Sequence, residues 1–102
     1  AVKERLYLPC RQPNDGLFAI RVPDDALSGI GIRKNDFVVA EKKNDIASGD
    51  PGVFLVHGRV YIRTFRLSNE GFVLTAENEA FEEIDCKEFT LLGKIIAVQR
   101  FF

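Results

Sequence analysis

RVPDDALSGIGIRKNDFVV, residues 21–39, links a short apolar segment, LFAIRV (17–22), to a second one, DFVVAEK (36–42). Between them lie an acidic turn at Pro23-Asp24-Asp25 and a connector punctuated by Gly29 and Gly31. Strand, tight turn, connector and strand is the shape of a loop that displays a nucleophile. At the tip stands Ala26, whose methyl group carries no atom that can attack.

Outward from this stretch the chain keeps one pattern. GVFLV (52–56), RVYIRTF (59–65), GFVLTA (71–76) and LLGKIIAVQRFF (91–102) are short runs rich in Val, Ile and Phe, each bounded by turn residues, so the chain reads as all-β. The two-residue connection His57-Gly58 predicts a hairpin in which Gly58 takes positive φ, and alternation beyond it puts Val60, Ile62 and Thr64 on one face. ENEAFEEI (77–84) offers a turn or so of helix at most. Residues 1–16, with Pro9, Pro13 and Gly16, read as an N-terminal arm or a remnant of a linker, and 17–102 as one compact domain. The chain opens on Ala1 rather than Met, so it is read as an excised or processed piece.

Composition narrows the function classes. Apolar runs of five to six residues span no membrane, and the balance of 14 Lys plus Arg against 15 Asp plus Glu makes this domain a poor grip on a phosphate backbone. If DNA is the target, another domain must hold it. Cys10 and Cys86 are too few for a secreted disulfide scaffold, which points to a reducing cytoplasm and leaves them as candidates for a redox-switchable pair. One histidine and two cysteines supply no zinc-ligand spacing, and Gly29 and Gly31 sit between strands rather than in a phosphate loop, so no metal or cofactor is expected. His57 is a turn residue, the runs Glu41-Lys42-Lys43 and Glu82-Glu83 are solvated, and Asp24-Asp25 fit an Asx-turn.

Taken in order, these segments resemble the self-cleaving LexA-type repressors and their relatives, the UmuD-like polymerase accessory proteins and the lambda-type phage repressors. Phe18, Arg21, Val22, Gly31, Ile32, Asp36, Val38 and Val39 fall on positions of that family's core motif. ASGD (47–50), HGRVYIRTF (57–65), LTAENEAF (74–81) and FTLLGKIIAVQR (89–100) resemble its later turns and strands in the same order. The resemblance implies a C-terminal peptidase-like domain of several short, strongly curved sheets, built around a Ser–Lys dyad. Carried over position by position, the serine falls on Ala26 and the lysine on Arg63. A guanidinium stays protonated and cannot serve as the base, so the dyad is disabled twice.

The family's glycine before the nucleophile is also replaced here, by Asp24, which suggests that Asp24 or Asp25 pairs with Arg63. No Ala-Gly or Cys-Gly bond, the family's cleavage dipeptides, occurs in the chain. The reading implied is a non-catalytic dimerisation and regulatory domain of a cytoplasmic repressor of the SOS type, a homodimer that binds operator DNA through an upstream helix-turn-helix domain. Relief of repression would then need another signal, such as a regulatory protein partner. The dimer surface is expected on the last strand, Lys94, Ile95, Ile96, Ala97, Val98, Gln99, Arg100, Phe101 and Phe102, taken as an edge strand able to pair with its symmetry mate. Two alternatives are an active-site mutant of a self-cleaving peptidase and a UmuD-like accessory subunit.

Overall fold

A computed structural model of the chain describes residues 16–99. Six strands, β1 (Leu17–Arg21), β2 (Phe37–Glu41), β3 (Pro51–Val56), β4 (Arg59–Ser68), β5 (Gly71–Thr75) and β6 (Thr90–Gln99), form one antiparallel sheet in the order β1-β2-β6-β3-β4-β5. All-β holds, and each apolar run singled out above supplies a strand, the last of them as far as Gln99, beyond which it lies outside the described residues. The several curved sheets expected are joined in a single ladder, bent where its register shifts. Between Val39/Ala40 and between Val53/Phe54 the partner β6 carries one extra residue, Ile96 and Leu92 respectively. Such bulges bend a strand and increase its twist.

Both faces of the sheet are packed, as the continuous burial of Val38, Val39 and Ala40 in β2 requires. On β3 and β4 Val53 pairs with Ile62 and Phe54 with Tyr61, so neighbours along each strand point to opposite faces. Val53 and Ile62 join Val22, Leu27, Ile32, Val38, Ala40 and Ile95 in one core. Phe54 joins Val56, Phe65 and Leu74 in the other, with Tyr61, Phe72, Phe89 and Cys86 packed around it. In that second core Phe89 sits edge-on to Phe54, Phe65 and Phe72 at centroid distances of 5.1, 5.9 and 4.9 Å.

The β3–β4 hairpin turns at His57 (φ 49°) and Gly58 (φ 80°), the pair of positive φ values that a two-residue type I′ connection demands. Ile62 and Thr64 are buried, whereas Val60, nearer the hairpin tip, is 40% exposed because the tip projects beyond the core. ENEAFEEI forms turns rather than helix, closed by a bridge between Leu74 and Ile84. The arm before Gly16 lies outside the described residues.

One expectation is corrected. β6 is not an edge strand: Thr90–Lys94 pairs with β3 on one side, and Lys94–Gln99 pairs with β2 on the other. β3 begins only at Pro51, so among the described residues the side of β6 opposite β2 has no strand partner past Lys94. Among the described residues β6 is therefore interior in its first half and open-sided in its second. Alternation of its faces also fails, because the bulge at Ile96 leaves Ile96, Ala97 and Val98 exposed in succession while Ile95 is buried.

Candidate functional site

The turn that follows β1 is held from three directions. Asp36 and Asn35 clasp its base: the Val22 N–H donates to Asp36 O and the Asn35 N–H to Val22 O, at 2.8 and 2.9 Å. Its far side is zipped to the segment after β5. The Gly29 N–H donates to Glu77 O at 2.9 Å and the Glu77 N–H to Ala26 O at 2.6 Å. Asn78 Nδ2 donates both to Asp25 O and to Ser28 Oγ, at 3.0 and 3.1 Å. Gly29 is required for this contact, because a Cβ there would stand 2.1 Å from the Glu77 carbonyl oxygen.

The third anchor is Arg63 on β4. Its side chain is only 6% exposed, and Nη1 lies 3.3 Å from both carboxylate oxygens of Asp24 while also donating to Ile62 O at 3.0 Å. The guanidinium carbon lies over the rings of Tyr61 and Phe81, 5.3 and 5.5 Å from their centroids. Nε is buried and meets no acceptor among the described residues. The guanidinium is thus accommodated by one partly exposed carboxylate, the Ile62 carbonyl and two aromatic faces, with its buried Nε unsatisfied among the described residues.

Ala26 is fully buried, and its N–H donates to Asp24 Oδ1 at 3.0 Å. One carboxylate, Asp24, therefore bridges positions 26 and 63, which lie on different elements and 37 residues apart in sequence. Asp25 takes another course: its Oδ1 accepts the Lys34 N–H at 2.8 Å and holds the connector instead. Neighbouring side chains at a turn point different ways, and only the first reaches β4.

A family model described as Peptidase S24-like matches residues 2–96 of the chain. The chain belongs to this S24-like family. Among curated relatives it is similar to the LexA repressors of Clostridium tetani, 31% identical over 84 residues, and of Clostridium perfringens, 31% over 87. The LexA repressor of Bifidobacterium longum is 31% identical over 100 residues, 97% of this chain and 42% of the relative. For the two clostridial proteins the coverage is 82% and 85% of this chain and 42% and 43% of theirs, so the chain spans less than half the length of the relatives it matches.

The remaining candidates lie apart from the turn that carries Ala26. Cys86 carries a free, half-buried thiol beside the second core, pushed above the usual thiol range by burial and secondarily by the carboxylate of Asp85. Cys10 lies outside the described residues. Because the thiolate is the reactive form, alkylation of Cys86 by iodoacetamide at neutral pH is expected to run more slowly than that of a free cysteine and to accelerate as pH rises. Labelling at the free-cysteine rate, followed by peptide mapping, would contradict this. Among the described residues no group of three or more His, Cys, Asp or Glu side chains is placed to hold a metal ion, and no helix is long and apolar enough to cross a membrane. Tyr61, Phe81, Glu77 and Asn78 were missed as parts of the site: they lie in the family-like segments HGRVYIRTF (57–65) and LTAENEAF (74–81), but nothing in those segments says that they meet the turn at Ala26.

Proposed function

We propose that the domain is a non-catalytic dimerisation and regulatory module of a LexA-like transcriptional repressor, in which the peptidase fold is kept and self-cleavage is lost. The observation that carries this reading is the state of position 63: a buried guanidinium paired with Asp24 stands where a self-cleaving relative needs a neutral amine. Position 26 supports it, since a buried methyl group has no proton to give. In this reading operator DNA is bound by an upstream helix-turn-helix domain, the protein works in the cytoplasm, and induction depends on a signal other than self-cleavage, such as a regulatory protein.

The second half of β6 is the proposed homodimer surface. Ile96 and Val98 are 44% and 42% exposed, consecutive with exposed Ala97, and among the described residues no strand pairs with their side away from β2. Exposed apolar residues on an unpaired strand side favour association. Arg100, Phe101 and Phe102 lie outside the described residues. Sedimentation equilibrium should give a dimer for the native chain, and Ile96→Asp with Val98→Asp should weaken it at least ~100-fold, the scale of removing buried interface anchors. Unchanged association would remove β6 from the interface. Prolonged incubation at alkaline pH should leave the full-length protein at its intact mass, whereas specific internal cleavage would refute the non-catalytic reading.

A further inference from the structure

We propose that Asp24 is a third block on the chemistry of this site, disabling both halves of an acyl-transfer step so that restoring the dyad alone would not restore activity. The inference rests on the reading of Ala26 and Arg63 as the dyad positions and adds a residue to it.

When a hydroxyl attacks a carbonyl, a bond forms from its oxygen to the carbonyl carbon, the hydroxyl proton passes to a neutral amine, and the carbonyl π electrons move onto oxygen. The amine must begin uncharged, and backbone N–H groups must be free to receive the oxyanion. The nucleophilic residue's own N–H commonly serves as one such donor.

Asp24 interferes at both places. Its Oδ1 already accepts the Ala26 N–H at 3.0 Å, which fills the oxyanion's position with a permanent carboxylate of like charge. The same carboxylate lies 3.3 Å from the cationic nitrogen of residue 63. An amine placed there would be depressed by burial but held protonated by the adjacent anion, an opposing effect of about one to three pH units. Tertiary structure, not sequence adjacency, makes one side chain serve both positions: the turn carries Asp24 under Ala26, and β4 carries residue 63 to Asp24.

The test uses the 102-residue chain carrying Ala26→Ser and Arg63→Lys, in three backgrounds: Asp24 intact, Asp24→Asn and Asp24→Gly. The pKa of the position-63 amine is read by NMR titration. Reaction with a fluorophosphonate is followed by mass, an oxygen–phosphorus bond forming at position 26 as fluoride leaves. Circular dichroism establishes folding, and the near-isosteric Asp24→Asn keeps the test usable should the glycine variant fail to fold. With Asp24 intact, the amine should titrate at or above the ordinary lysine value of about 10.4, and labelling should be undetectable. Both Asp24 variants should lower that pKa by at least about one unit, a tenfold gain in neutral amine. Labelling should rise at least about tenfold only for Asp24→Gly, because asparagine's amide oxygen still occupies the N–H. Equal amine pKa values in folded protein across the three backgrounds would overturn the proposal. A lowered pKa without labelling in the glycine background would support Asp24's hold on position 63 and overturn instead the reading of position 26 as the nucleophile's place.

Discussion

Arg63→Ala is expected to destabilise the domain by about 2–4 kcal/mol in urea denaturation, below the ~3–5 kcal/mol of breaking a fully buried pair because Asp24 is part-exposed. Three losses contribute. The carboxylate of Asp24, 31% exposed, is left without its cation; the bond from Nη1 to Ile62 O disappears; and the space between Tyr61 and Phe81 is vacated. The first depends on charge and the last on volume, so they can be separated. Arg63→Met with Asp24→Asn keeps most of the volume and removes both charges together with the unsatisfied Nε. That double variant should recover more than half of the loss, since a buried ion pair replaced by well-packed neutral groups is often no less stable. A change within ~0.5 kcal/mol for Arg63→Ala would mean that Arg63 holds the turn in name only.

Gly29→Ala is expected to be as damaging, for a reason unconnected with charge. The new methyl would collide with the backbone carbonyl of Glu77, which no rotamer change can relieve. Separating the two segments strains the paired bonds Gly29 N–H to Glu77 O and Glu77 N–H to Ala26 O. Overpacking and two weakened hydrogen bonds together come to about 2–5 kcal/mol, or a melting temperature lower by roughly 8–40 °C at about 4–8 °C per kcal/mol. Gly31→Ala is the informative contrast. Gly31 has φ 89° with open space around its missing Cβ, so alanine there pays only backbone strain, of order 1 kcal/mol. Equal losses at the two positions would show that the zipper between the turn and Glu77 is not what Gly29 protects.

The strands were legible because their signal is local. Short Val-, Ile- and Phe-rich runs between turn residues became β1 to β6, and His57-Gly58 became the tight hairpin turn. The chemical character of positions 26 and 63 was legible for another reason: Ala26 carries no nucleophilic atom, and the Arg63 guanidinium keeps its protons at physiological pH whatever surrounds it. Strand order was not legible. Nothing within LLGKIIAVQ says that β3 will pair with its first half and β2 with its second, because hydrogen bonds between strands are made with backbone that every sequence shares. The edge-strand expectation failed on that ground, and the bulge at Ile96 is a feature that strand alternation cannot foresee.

Sequence by itself determined which side chains stand at positions 26 and 63, a methyl group and a guanidinium. Tertiary structure alone decided that Asp24 rather than Asp25 faces Arg63, that the same carboxylate caps Ala26, and that Tyr61 and Phe81 flank the guanidinium. Identity is a property of one residue and travels with the chain. A contact between residues 39 positions apart is a property of the path between them, settled only when the whole sheet has buried its two faces.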